Sequence, residues 1–124
     1  MDTPKIFDSE YRFCLILWEH EPVTSRALVE LCAEQLGWKP TTTYTVIKRL
    51  GERGVVKNEK SIVTSLVSRE EARSAEAGEL VEKHFDGSLP AFIAAFTRTQ
   101  KMSGAELDEV QRMIDRYRKE NCHD

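Results

Sequence analysis

No run of about 18 apolar residues occurs in the 124-residue chain, so no segment reads as a membrane-spanning helix. The first residues, Met1 to Phe7, lack the charged-then-apolar pattern of a signal peptide. Both absences point to a cytoplasmic protein. Cysteine is scarce: Cys14 and Cys32 fall inside apolar helical patterns and read as core thiols, and Cys122 stands alone near the end. An odd count without framework spacing excludes a disulfide scaffold. A glycine-rich phosphate loop is missing, and so is any metal-ligand spacing of note. His20, His84 and His123 are scattered, with no Ser, Cys or carboxylate placed beside them in a catalytic pattern. These absences exclude an enzyme and give no reason to expect a cofactor or a metal.

One absence is local. From Lys39 to Gly51 there is no acidic residue. Within that stretch Thr43, Val46, Ile47 and Leu50 recur at i, i+3, i+4 and i+7, which is one face of an α-helix. The opposite face is centred on Thr41, Thr45 and Lys48, flanked by Thr42, Tyr44 and Arg49. Pro40 suits the first turn and Gly54 a left-handed stop. A solvated helix face usually mixes both signs of charge. From Lys39 to Lys60 six cations meet two acids, whereas the whole chain carries −3. A basic helix on a mildly acidic protein is the electrostatic footprint of a nucleic-acid-binding domain. The competing reading is a solvated amphipathic helix.

The surrounding elements favour the first reading. Asp8 is expected to cap a helix running through Glu19, with Tyr11, Cys14, Leu15 and Trp18 inward. Pro22 stops it. Thr24 caps a second helix with Leu28, Leu31, Cys32 and Leu36 inward, and Gly37 ends it. The second helix then braces the third, as in a helix-turn-helix. Val55 to Lys57 and Ile62 to Val67 are rich in β-branched residues, with the polar Asn58-Glu59-Lys60-Ser61 between them. That pattern predicts a β-hairpin. The fold class is therefore mainly α with a small β-hairpin: a winged helix-turn-helix. Lys57 and Lys60 on the wing, with Arg49 and Arg53, are candidate phosphate contacts. The wing read as a purely structural cap is the alternative.

Residues 1–68 form the winged-helix domain in this reading, and 69–124 a helical dimerisation region. An acidic helix opens at Ser68 and runs to about Phe85. Leu89, Phe92, Ile93 and Phe96 then mark one amphipathic helix, and Leu107, Val110, Ile114 and Tyr117 another. Ser103 and Glu106 form a capping-box pattern before the latter. Two short helices with so little chain to cover them cannot bury both stripes alone. A second copy of the chain, related by a two-fold axis, is the economical cover; folding back onto the first domain is the alternative.

The chain resembles the penicillinase-repressor family of bacterial transcriptional regulators, which includes the β-lactamase, methicillin-resistance and copper-operon repressors. The matching residues are Leu17-Trp18-Glu19, Pro22-Val23-Thr24, Trp38 with Thr42 and Thr45, Arg49-Leu50, Arg53-Gly54, Leu66-Val67-Ser68-Arg69-Glu70 and Phe85-Asp86-Gly87-Ser88-Leu89. The likeness extends from about Asp8 to Tyr117. It implies a homodimer that represses by occupying a dyad operator in double-stranded promoter DNA, for a resistance or stress operon. Carried over by position, the DNA-reading helix falls on Thr41, Thr42, Tyr44, Thr45 and Lys48. Tyr44 replaces a residue that is often basic, and the second wing strand lacks a frequent aromatic. In antibiotic-responsive relatives a sensor-linked protease cuts within the first C-terminal helix. The matching bond here is Ala95-Phe96, with alanine where the family has asparagine. The copper-responsive members end in paired Cys-x-Cys motifs. This chain has only Cys122 and His123, too few for a four-ligand site within one chain. A protein-interaction module without DNA binding and a metal-responsive repressor are the competing functions.

Overall fold

The computed structural model describes residues 3–121. Six helices and three short strands follow in order: α1 (Asp8–His20), β1 (Val23–Thr24), α2 (Ser25–Leu36), α3 (Pro40–Glu52), β2 (Val56–Glu59), β3 (Ile62–Ser65), α4 (Arg69–Phe85), α5 (Leu89–Thr99) and α6 (Gly104–Asn121). The described residues divide into two compact units between Glu79 and Leu80, inside α4. The 68/69 boundary read from the sequence marks the first turn of that helix.

In the first unit α1, α2 and α3 pack around Phe13, Leu17, Leu28, Cys32, Ile47 and Leu50. Val55, Val56, Val63 and Val67 close the core from the sheet side. The expected inner face of α1 is only partly right. Cys14 is buried, but Tyr11 and Trp18 are half-buried and Leu15 is 37% exposed. Phe13, Ile16 and Leu17 take the inner positions. The apolar run Phe13 to Trp18 permits more than one stripe, and the packing of α2 selects this one. Nor does Asp8 cap α1. Phe7 holds the cap position, and the Glu10 carboxylate accepts the Phe7 N–H at 3.0 Å.

Thr24 caps α2 by accepting the Ala27 N–H at 3.1 Å, and Gly37 ends that helix at φ +70°. Such a left-handed stop suits glycine, which has no Cβ to clash. The wing is larger than a hairpin. Val23 and Thr24 pair antiparallel with Val63 and Ile62, giving a three-stranded sheet of order β1-β3-β2. A two-residue strand leaves no alternation to read, which hides β1 in the sequence. The hairpin turn is also tighter than expected. Glu59 pairs with Ile62, leaving Lys60 and Ser61 as the turn, at φ 53° and 65°. Two successive positive φ values match the twist of a two-residue hairpin.

Ser68 and Glu71 form a reciprocal capping box at the start of α4, and Ser103 and Glu106 another before α6. In the second unit Phe92 lies 5.4 Å from Phe85 and 5.9 Å from Phe96, ring centroid to centroid. Neither α5 nor α6 buries a residue.

Candidate nucleic-acid interface

The exposed front of α3 comes directly from its buried back. Thr43, Val46, Ile47 and Leu50 face the core. At about 100° per residue the remaining positions must then face outward. Thr41, Thr42, Tyr44, Thr45, Lys48 and Arg49 are all exposed, Tyr44 by 48%. No acidic residue interrupts them. Pro40 occupies the first turn, and no side chain caps the helix. The Thr42 and Thr43 N–H groups donate to the Lys39 carbonyl, and the positive end of the helix dipole sits beside Thr41 and Thr42.

Beside this front lies a shallow groove of about 500 Å³ between α3 and the wing. Ile47 and Val56 contribute to its lining, with Tyr44, Lys48 and Gly51 from the helix and Lys57 and Asn58 from β2. Leu66, 55% exposed, completes it. The structure thus brings Tyr44, Lys48 and Lys57 together. Gly51, Asn58 and Leu66 were missed in the sequence. Gly51 lies seven residues after Tyr44 on the same side of the helix, so helical spacing alone would have found it. Leu66 was read as part of the second wing strand, but β3 ends at Ser65.

The wing is less basic than its residue count suggests. Lys57 Nζ lies 2.7 Å from Glu59 Oε2. The hydrogen bond to Glu59 and its charge raise the Lys57 pKa, while Lys57 lowers that of Glu59 by the same contacts. Both groups are fully exposed, so solvent screens the pair and phosphate can compete for the lysine. Lys60 stands exposed in the turn.

Arg53 departs from its expected phosphate role. Its guanidinium pairs with Glu10 on α1, and its Nε donates to the Lys5 carbonyl at 3.3 Å. The group also lies 5.3 Å from the centroid of the Phe7 ring. These contacts engage the guanidinium within the chain, although the side chain stays 30% exposed.

No cofactor or metal chemistry is suggested by the site. Among the described residues no cluster of three or more His, Cys, Asp or Glu could hold a metal. Cys122 and His123 lie outside the described residues. Ala95 and Phe96 lie on helical backbone within α5. Among the described residues no helix is long and apolar enough to cross a membrane.

The chain is 26% identical over 117 residues to an "uncharacterized 16.5 kDa protein in ptsI 3′ region" of Latilactobacillus sakei, covering 91% of this chain and 80% of that one. The fold is similar to the solution structure of monomeric BlaI of Bacillus licheniformis in complex with the blaP half-operator. That match has a TM-score of 0.50 and 21% identity, covering 57% of this chain and 93% of the chain in that structure. The penicillinase repressor family profile matches residues 6–116, nearly the whole chain. The chain therefore belongs to the penicillinase repressor family, whose members are DNA-binding transcriptional regulators rather than enzymes.

Proposed function

We propose that the protein acts as a homodimeric repressor, each subunit laying α3 in the major groove of one half of a dyad operator. The observation that carries this reading is the acid-free front of α3, six exposed residues long, beside a groove with lysines at Lys48 and Lys57. Thr41 and Thr42 meet phosphate or base edges through their hydroxyls, at the positive end of the helix dipole. Tyr44, Thr45 and Lys48 face bases. Arg49, Lys57 and Lys60 hold phosphates. Hydroxyls discriminate bases less sharply than an arginine fork on guanine does. Affinity accordingly leans on ion pairing and falls steeply with salt.

BlaI engages a half-operator as a monomer. By analogy, one winged unit of this chain reads one half-site, and specificity for a full operator comes from joining two. The stripes of α5 and α6 supply the joint: Leu89, Phe92, Ile93 and Phe96 on one, Leu107, Val110, Ile114 and Tyr117 on the other. Seven of these eight are exposed, Tyr117 by 64%, and Phe92 is half-buried. An isologous pairing of two such units covers both stripes. Separating the subunits turns one strong binder into two weak ones, which is the simplest route to induction. If a protease does this at Ala95-Phe96, α5 must first unwind locally, because the bond lies inside the helix.

The test is the double substitution Lys48→Ala with Arg49→Ala. Loss of binding to a duplex of the protein's own upstream promoter, with the fold intact by circular dichroism, supports the recognition face. Specific binding that survives unchanged overturns it and places the DNA contact on another face.

A further inference from the structure

Glu10 is a carboxylate in an unusual place. It sits in the first turn of α1 and is only 6% exposed. Its Oε1 pairs with the Arg53 guanidinium and accepts the Phe7 N–H. Arg53 immediately follows α3, at its C-terminal cap, where a cation also complements the helix dipole. The same guanidinium donates to the Lys5 carbonyl and lies against the Phe7 ring. Lys5 in turn pairs with Glu79 on α4 at 2.5 Å. The segment Lys5 to Glu10 therefore fastens the end of α3 to the start of α1. The other end of α3 has no side-chain cap.

We infer that Glu10 is a positioning residue for the DNA-reading helix, acting through Arg53 to fix the orientation of α3 against α1. This rests on the DNA-binding reading proposed above. Glu10 touches no DNA in this arrangement. It holds the end of a rigid rod whose exposed front must meet base edges, and a small rotation at the anchored end displaces every contact along that front.

The inference makes an expectation opposite in sign to simple electrostatics. Glu10→Gln removes a negative charge and releases a cation close to the DNA-reading helix. Long-range attraction and a freed phosphate contact would both tighten DNA binding. Loss of positioning weakens it. A buried pair broken on one side leaves an unpaired charge, which can unfold the protein. The double variant Glu10→Gln with Arg53→Met leaves none and keeps the test open.

The experiment measures binding of the full chain to a duplex of its own upstream promoter across a salt series, each variant first shown folded by circular dichroism. Glu10→Gln and Arg53→Met are each expected to weaken binding about tenfold. The double variant should be no weaker than the worse single, since both remove one coupled unit. The slope of log Kd against log salt stays unchanged throughout. Unchanged or tighter binding by Glu10→Gln overturns the inference. So does a salt slope shallower by about one in Arg53→Met, which would make Arg53 a phosphate contact. Where the unsubstituted protein itself ignores the duplex, the DNA-binding reading has failed and takes this inference with it. Failure of the variants alone leaves the DNA-binding reading standing.

Discussion

The Glu21 carboxylate clasps Ser65 from two sides: Oε1 accepts the Ser65 backbone N–H at 2.7 Å, and Oε2 accepts its hydroxyl at 2.7 Å. Glu21 follows the last turn of α1 and Ser65 ends β3, so one side chain ties the wing to the helical core. Both residues are half-buried. Ser65→Ala removes the hydroxyl half of the clasp and should cost about 1.5 kcal/mol, the usual worth of a hydrogen bond to a charged group. Urea unfolding monitored by tryptophan fluorescence measures it. Trp18 donates to the Val67 carbonyl at 2.9 Å, so its signal reports on the same region.

Thr43 has the opposite problem. It is fully buried on the inner face of α3, and its hydroxyl oxygen has no well-formed hydrogen bond. The neighbouring Cys32 thiol offers at most a weak sulfur contact. A buried hydroxyl without a good partner is destabilising, so Thr43→Val should raise stability by about 1 kcal/mol. Equilibrium unfolding checks the sign. Because Thr43 faces away from the exposed front, DNA affinity should not change.

Cys14 gives a pH prediction. Burial, and then the charge of Glu10, pushes its thiol from the ordinary 9.0 up to about 12. A pKa higher in the folded state favours the neutral thiol there. Its contribution to stability is complete below about pH 9 and is lost as pH rises towards 12. A Cys14→Ala variant should lack this component of the alkaline loss, measured by unfolding at pH 7 and pH 10. At pH 8, in a Cys122→Ser background, neither Cys14 nor Cys32 should react with a thiol reagent until the protein unfolds.

The proposed dimer predicts a clean dissociation. Ile93→Asp with Ile114→Asp places two charges on the α5 and α6 stripes, both exposed within one chain. Each subunit should stay folded, because the first unit has its own core. Light scattering should give half the mass of the unsubstituted protein. Affinity for a full operator should fall about a hundredfold or more, the usual size of an avidity gain.

The helices were legible because their periodicity and their stops agree. Thr43, Val46, Ile47 and Leu50 fix α3, and Gly37 ends α2 where its left-handed φ is needed. Ser68 and Ser103 announce α4 and α6 by their caps, whereas the Ser88 cap of α5 shows only in the structure. What escaped depended on tertiary pairing. The strand Val23–Thr24 exists only because β3 lies beside it. The inner face of α1 was ambiguous because Phe13 to Trp18 is apolar nearly throughout. Arg53 looked like a phosphate contact because its neighbours are basic, and only the fold shows Glu10, far away in sequence, beneath it. At the interface, α3 was readable from one segment, whereas the groove needed Leu66 and Asn58 from another.

The most direct test is sedimentation of the purified protein with and without a short duplex of its own upstream promoter, at low and at moderate salt. A dimeric operator-binding repressor sediments as two chains alone, and at moderate salt shifts onto that duplex but not onto a scrambled one. A monomer, or a dimer indifferent to every duplex even at low salt, would contradict it.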